Sequence, residues 1–312
     1  MIDFVLAPLL PLKPEELVMA LGYRRADIEA HIRGKYRVPL RVVEQKELLG
    51  LGFAIHLCLE SVDDSDEVLI VLGDTIGLTD LQRLRAAGDN VIALKEVVDP
   101  RRFGVAVVKD GRIVELEEKP ERPRSSLAVV GLYYFRSARI VKRALAEHTR
   151  SGKRTAGEIQ FTDALARLIG DGVILTPFML DRWLDCGKRE TMLSTNAELI
   201  GLNRLTTHPG SSVTHTGNVW VSLEAQVRDS ALGPNVSIYG ETVVEGSTLM
   251  NCIIGARASI RDCDLYDSLV GDNASLRNVN GSVDIGDACV VDGAFAIRER
   301  EPVRTGAIDA GQ

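Results

Sequence analysis

Two aspartates each end an apolar strand pattern beside a glycine, a placement that suits a metal-binding carboxylate. Asp74 follows the apolar run Val68–Leu72 and Gly73, and open α/β sheets bind ligands at the carboxyl ends of their strands. Asp74 therefore either binds a metal that faces a nucleotide phosphate or caps the next helix. Asp185 lies in a second such pattern, Arg182–Gly187. Two carboxylates suit a hard divalent cation, but a spacing of 111 positions does not show that they meet.

A second group of residues has the types needed to bind a phosphorylated sugar and a base. In Glu117–Pro120, Lys119 could neutralise a phosphate and Glu118 could accept sugar hydroxyls, although a solvated charged turn explains the same residues. Gly104 either permits close approach of a ligand or only serves a bend. The glycines of Leu49–Gly52 could present backbone amides to a planar base. They do not form a phosphate-binding loop of a common type, because the chain contains neither G-x-G-x-x-G nor G-x-x-x-x-G-K-[ST].

The elements that must hold these residues alternate between strand and helix patterns. The continuous apolar run Val68–Leu72 predicts a central strand buried on both faces. The segments on either side of Lys109–Gly111 predict a hairpin with an Asp-Gly turn. Together with helical patterns such as Ala138–Glu147, they predict a mixed α/β sheet.

After about residue 205 the helical periodicity ends and an internal repeat begins. Its four copies each start with an aliphatic residue followed by glycine, and each carries another aliphatic residue six positions after that start. The starts are Leu232, Ile254, Val270 and Ile285. This pattern predicts a hexapeptide β-helix, with a β-sandwich as the alternative. The starts lie 22, 16 and 15 residues apart, and we interpret 22 as 16 plus one hexapeptide.

Charge and composition disfavour several classes of protein. The 37 basic and 44 acidic residues give a formal net charge of −7, so we expect no binding to nucleic acid. Apolar runs fall short of the ~20 residues needed to cross a bilayer, so we expect no membrane segment. The five cysteines are scattered without a C-x-x-C pair, which favours a reducing compartment and no zinc site. We therefore expect a cytoplasmic protein.

Seven motifs in chain order resemble the sugar-1-phosphate nucleotidyltransferase family. They are Glu44-Gln45-x4-Gly50-Leu51, Leu72–Asp74, Lys95–Val105, Glu118–Pro120, Ala128–Tyr133, Gly157–Ala164 and Trp183–Gly187, followed by the hexapeptide repeats. The series is closest to the long-form glucose-1-phosphate thymidylyltransferases with a left-handed β-helix tail. The resemblance implies a Rossmann-like α/β domain with a mixed sheet at residues 1–204, a left-handed parallel β-helix at 205–298 and a loose tail at 299–312.

The same resemblance implies a reaction and assigns residues to it. The family transfers a nucleotidyl group from dTTP or UTP to a sugar 1-phosphate, here expected to be glucose 1-phosphate, and releases pyrophosphate. Carried over by position, Asp74 and Asp185 would hold Mg²⁺, Gln45, Gly50 and Leu51 would bind the nucleotide, and Gly104, Glu118, Lys119 and Val129 would bind the sugar. Lys119 would contact the sugar phosphate, and a homo-oligomer is expected.

One part of the family pattern does not occur in this sequence. The family carries a Gly-rich loop, G-x-G-T-R-L-x-P, whose Arg and a later Lys bear on the transferred phosphate, so the catalytic residues stay unassigned. Ile2–Ala7 is either a remnant of the strand before that loop, or the N-terminus is truncated or misassigned upstream. We expect weak triphosphate binding without the loop. The alternatives are a silent homologue that binds sugar nucleotide or regulates an active subunit, and an acyltransferase, which the absence of histidine from residues 221–298 disfavours.

Overall fold

The computed structural model describes residues 1–203 and 212–293 of the chain. Contacts divide the chain into two compact units, Met1–Asp185 and Cys186–Gln312. The predicted boundary between residues 204 and 205 lies outside the described residues, as does the predicted tail at 299–312.

The first unit alternates helices with strands. Its helices are α1 (Ile2–Leu6), a 3-10 helix (Ala7–Leu12), α2 (Arg25–Lys35), α3 (Leu51–Leu59), α4 (Leu81–Ala86), α5 (Ala138–Ser151) and α6 (Phe161–Gly170). Its strands are β1 (Leu17–Leu21), β2 (Leu40–Glu44), β3 (Val68–Val71), β4 (Thr75–Leu78), β5 (Asn90–Glu96), β6 (Gly104–Lys109), β7 (Arg112–Glu118), β8 (Leu127–Phe135), β9 (Thr176–Met179) and β10 (Arg182–Asp185).

Six of these strands form one mixed sheet in the order β7-β6-β8-β5-β9, with β3 paired to the end of β8. Only β5 and β9 run parallel within this sheet. One face packs on α3, α5 and α6, which bury side chains such as Ile55, Leu145 and Phe161. The other face packs on α4 through Leu81 and Leu84. The predicted Rossmann-like α/β domain with a mixed sheet is confirmed.

The predicted hairpin is also confirmed, and its turn has the expected chemistry. β6 and β7 pair antiparallel, and Lys109 stands opposite Arg112. The two residues between them, Asp110 and Gly111, both have positive φ, at 49° and 72°. This is the backbone that a two-residue hairpin turn requires, which is why an Asp-Gly pair marks it in the sequence.

Two predictions about strands are wrong. The run Val68–Leu72 is not a central strand buried on both faces, because every residue of β3 is partly exposed and, within the described ranges, β3 pairs with β8 alone. Ile2–Ala7 is not a remnant strand, because Ile2–Leu6 is helical. An apolar run reports that a segment can be buried, but its place in the sheet depends on distant pairing partners.

The helix α1 is held by a cluster of hydrogen bonds around Asp3. The Asp3 carboxylate lies 2.9 Å from His31 Nε2 and accepts hydrogen bonds from Lys35 Nζ at 2.7 Å and Tyr36 Oη at 2.5 Å. Burial would raise the pKa of Asp3, but these hydrogen bonds outweigh it and hold that pKa well below its usual range. Burial and the same contact raise the pKa of Tyr36 to about 12.

In residues 186–203 and 212–293, the second unit consists of one helix and a stack of short parallel strands. The helix is α7 (Arg189–Asn203). The strands are β11 (Thr214–His215), β12 (Val219–Val221), β13 (Gln226–Arg228), β14 (Ala231–Leu232), β15 (Val236–Ile238), β16 (Val243–Glu245), β17 (Thr248–Ile254), β18 (Ser259–Arg261), β19 (Asp264–Val270), β20 (Ser275–Arg277), β21 (Asn280–Gly281), β22 (Asp284–Ile285) and β23 (Val290–Asp292).

These strands pair only with equivalents one coil away, so the predicted parallel β-helix is confirmed. Ile254, Val270 and Ile285 stack in register, as the repeat predicts. The residue below Ile254 is Ile238 rather than Leu232, which stacks under Leu249 instead. The first copy therefore lies one hexapeptide earlier in its coil, and the interpretation of the 22-residue spacing is confirmed.

Buried hydroxyl groups join successive coils at the corners of the β-helix. Thr242 is fully buried, and its Oγ1 donates to the Gly255 carbonyl at 2.6 Å and accepts from the Ala258 amide at 3.2 Å. Ser247 Oγ donates to the Glu245 carbonyl of its own coil at 2.8 Å and accepts from the Cys263 amide of the next coil at 3.1 Å. Each hydroxyl satisfies backbone groups that the turn removes from the sheet, because a buried polar group must be paired.

Candidate functional site

The strand pairing brings the two predicted metal-binding aspartates to the same edge. β4 and β10 pair antiparallel, and Asp185 stands opposite Thr75. Asp74 precedes Thr75 directly, in the turn that leads into β4, and accepts a hydrogen bond from Thr75 Oγ1 at 3.5 Å. Asp74 is exposed and Asp185 is half-buried. Two carboxylates in this placement fit a divalent cation whose remaining ligands come from phosphate and water.

The described ranges 1–203 and 212–293 contain no cluster of three or more His, Cys, Asp or Glu side chains suited to a metal.

The strand that carries Asp185 is fixed from two sides. Lys95, near the end of β5, donates from Nζ to the carbonyls of Leu180 and Asp181, at 3.2 Å and 2.7 Å. The ring of Trp183 packs edge-to-face on Phe103, with centroids 5.0 Å apart. Phe103 immediately precedes Gly104, so the strand of Asp185 and the loop before β6 contact each other.

The predicted sugar-binding residues Gly104, Glu118 and Lys119 meet at the open end of the hairpin. Gly104 and Glu118 are directly opposite in the β6–β7 ladder. The Glu118 side chain is only 8% exposed and lies 3.6 Å from Lys119 Nζ, whereas the Lys119 side chain is 46% exposed. The interpretation of Glu118 as part of a solvated turn is therefore wrong. A buried carboxylate beside a half-exposed ammonium can accept hydrogen bonds from hydroxyl groups, while the ammonium can donate hydrogen bonds to a phosphate.

A buried tyrosine links the sugar-binding residues to the aspartates. Burial raises the pKa of the Tyr133 hydroxyl, and the nearby charges of Glu118 and Asp74 raise it further. Both carboxylates therefore disfavour ionisation of the same phenol. Val129 is on the same strand, is 7% exposed and packs in the main core with Tyr133.

Both the backbone conformation and the surroundings of Gly50 exclude a side chain. Its φ is 107°, and an added Cβ would lie 2.7 Å from Glu158 Cβ and 2.8 Å from the Ile159 carbonyl oxygen. The Ile159 amide donates to the Leu49 carbonyl at 2.7 Å, and the Gly52 amide donates to the Ile159 carbonyl at 2.8 Å. Leu51 then begins α3. Gln45 follows β2, and its backbone N–H donates to the Leu21 carbonyl.

The segment Glu158–Thr162 connects the residues predicted to bind the nucleotide with those predicted to bind the sugar. Its first residues pack on Gly50, while Thr162, which is 5% exposed, packs under Gly104. The ring of Phe161 also packs on Tyr133, with centroids 4.8 Å apart. This segment belongs to the sequence motif Gly157–Ala164, but the sequence alone predicts no role for Thr162, Tyr133 or Lys95. The available signal was a polar residue among apolar ones at the start of a helix.

Burial raises the pKa of Cys58 to about 11, so its thiol is not poised to form a thiolate. In the part of the chain that the structure describes, no helix combines the length and apolar character needed to span a bilayer.

Comparisons with known proteins identify the family of the chain. The Nucleotidyl transferase family matches residues 1–200. A glucose-1-phosphate thymidylyltransferase of Streptomyces antibioticus is 30% identical over 78% of this chain and 74% of that protein. The UTP–glucose-1-phosphate uridylyltransferase AglF of Haloferax volcanii is 32% identical over 58% of this chain and 76% of that protein.

A solved structure supports the fold alone. A Bacillus anthracis protein assigned as a glucose-1-phosphate thymidylyltransferase, crystallised with sucrose, superposes with a TM-score of 0.55 at 23% identity. The superposition covers 67% of this chain and 84% of that one. Since the family match spans more than half of the residues and includes every residue of the candidate site, the chain belongs to the nucleotidyl transferase family of enzymes.

Proposed function

We propose that this chain transfers a nucleotidyl group from dTTP or UTP to a sugar 1-phosphate, with glucose 1-phosphate as the first choice, and releases pyrophosphate. The observation that carries the proposal is the pairing of Asp185 with Thr75, which sets a second carboxylate beside Asp74. The relatives named above support the sugar, and they leave the base open because one is a thymidylyltransferase and the other a uridylyltransferase.

In this reaction a phosphate oxygen of the sugar 1-phosphate attacks the α-phosphorus, and pyrophosphate leaves in line. Mg²⁺ bound by Asp74 and Asp185 would supply the Lewis acid that offsets charge on the α-phosphate. Lys119 would donate to the attacking sugar phosphate. Glu118 would accept sugar hydroxyls, and Gly104 would keep the adjacent space free. The assignment of metal and sugar residues remains a proposal that geometry supports.

The nucleotide would lie against the loop after β2. Gln45 and the main chain of Gly50 and Leu51 would bind the base, and the 158–162 segment would hold this loop in place. Val129 would contact the sugar. A homo-oligomer in the cytoplasm is part of the proposal.

The direct test is pyrophosphate release from dTTP or UTP and glucose 1-phosphate with Mg²⁺. We expect Asp74→Asn to lower the rate at least ~100-fold, because the loss of one carboxylate weakens binding of the cation. Asp80→Asn is the matched control, since Asp80 caps α4 through the Gln82 amide and asparagine caps equally well. Full turnover by Asp74→Asn would refute the metal assignment.

A second candidate is a silent homologue that binds sugar nucleotide or regulates an active subunit. It is favoured by residues 2–12, which form helical turns whose Leu9 and Leu12 pack against the cluster that contains Leu81 and Leu84. Calorimetry with dTDP-glucose separates the candidates. Binding with turnover supports the transferase, binding without turnover supports the silent homologue, and no binding contradicts both.

A further inference from the structure

One face of the β-helix presents a ladder of exposed charges. This charged face is formed by β13, β16, β18, β20 and β23, which stack in register. The last residue of each strand points outward and is exposed, giving the series Arg228, Glu245, Arg261, Arg277 and Asp292. The other outward column is uncharged and consists of Gln226, Val243, Ser259, Ser275 and Val290.

The order of signs along the ladder is complementary to its own reverse. When a second ladder is reversed about the middle coil, Arg228 meets Asp292, Glu245 meets Arg277 and Arg261 meets its own copy. A two-fold axis repeats the first two pairings. Opposite charges therefore face each other in four of the five rows, where a row is one pair of facing side chains. With the two ladders in the same order every row repels, and a shift of one coil from the reversed arrangement leaves at most two attracting rows.

We propose that the charged face binds a second copy of this chain, with the two coil stacks antiparallel and the two-fold axis passing through the Arg261 pair. Such an interface is isologous, since each copy uses the same patch. The uncharged column of mostly small residues lets the two sheets approach. Glu245 Oε2 lies 3.9 Å from Arg261 Nε of its own chain, which offsets the one repelling row.

The size of the face fits a weak and salt-dependent dimer. Five strands at ~4.8 Å spacing span roughly 24 Å, and three-residue strands with their corners are about 18 Å wide. The two faces together would bury on the order of 900 Å², near the lower limit for a specific interface. We therefore expect a dissociation constant of roughly 10 µM at low salt, which rises as salt screens the exposed pairs.

Sedimentation of the full chain over a range of concentrations and salt tests this directly. Glu245→Arg turns two rows of the dimer from attracting to repelling, and we expect dimerisation to weaken by about tenfold or more. Arg277→Glu should do the same. The double variant Glu245→Arg/Arg277→Glu restores both rows and should restore the dimer.

The control is Asp264→Arg, which makes the same change of net charge as Glu245→Arg on an exposed residue of a different face. It should leave the dimer unchanged, and thermal unfolding should show all variants folded. A wild type that stays monomeric at 200 µM in low salt, an assembly other than a dimer, a dimer unaffected by Glu245→Arg, or equal weakening by Asp264→Arg would each overturn the proposal.

Discussion

Replacing Gly104 with alanine tests whether the sugar-binding residues share one closely packed corner. The new Cβ would lie 2.6 Å from Thr162 Oγ1, 3.1 Å from Thr162 Cγ2 and 3.2 Å from Glu118 Oε2. Backbone strain does not contribute, since the φ of Gly104 is not in the positive range. Any cost therefore comes from contacts alone.

The size of that cost follows from how far Thr162 can move. The contact with its Oγ1 is about 0.8 Å shorter than the 3.4 Å at which ordinary contacts begin. Thr162 is 5% exposed and lies in the first turn of α6, so its side chain cannot turn into solvent. Overpacking of this kind costs ~1–3 kcal/mol in the free energy of unfolding, or about 2–4 °C in Tm for each kcal/mol. Because Glu118 is displaced too, we expect at least ~10-fold weaker binding of dTDP-glucose.

A double-mutant cycle in urea isolates this contact. Thr162→Ala removes both threonine atoms that the new methyl group would meet, so Gly104→Ala should cost ~1–2 kcal/mol less in that background. Gly34→Ala, within α2, is the control, since nothing lies within 4 Å of its added Cβ, and it should be stabilising. The packing argument fails if Gly104→Ala unfolds like the wild type, or if Thr162→Ala brings no relief.

Two further predictions concern stability. Asp3→Asn should cost ~0.5–1 kcal/mol at neutral pH, because it weakens the bonds to Lys35 and Tyr36. Since the folded pKa of Asp3 is lowered, the wild type keeps this stabilisation above pH ~4 and loses it as the pH falls further, whereas the variant lacks that acid-dependent loss in pH-series unfolding. Thr242→Val should cost ~1–3 kcal/mol, because it leaves a buried carbonyl and a buried amide unpaired, and a thermal unfolding shift below 1 °C would contradict this.

The sequence predicts best the features that neighbouring residues decide. Asp110 and Gly111 identify the hairpin because both tolerate the positive φ of a tight turn. The β-helix follows from spacing alone, since each coil repeats the same inward positions, from Ile238 through Ile254 to Val270. The displaced copy at Leu232 also fits the repeat, because its spacing of 22 residues from Ile254 equals 16 residues plus one hexapeptide.

The errors arise where a distant partner decides the outcome. Val68–Leu72 has the composition of a central strand, yet its place depends on which strands lie beside it, and the only described neighbour is β8. In the same way, no local pattern encodes the pairing of Asp185 with Thr75, because the two are joined by 110 positions of chain. The resemblance to a family names these aspartates, and the register shows that both lie at the same edge.

The 158–162 segment shows what such distant contacts add to the site. Gly50 and Gly104 belong to different motifs, yet both lack a side chain because the same segment packs against them. At Gly50 the close atoms are backbone and Cβ atoms, which cannot turn away, whereas at Gly104 they are the tips of a threonine and a glutamate side chain. The loop at Gly50 is thus held by main chain, and the corner at Gly104 by side chains. Substitution in the segment can therefore reshape the corner at Gly104 while the loop at Gly50 keeps its place.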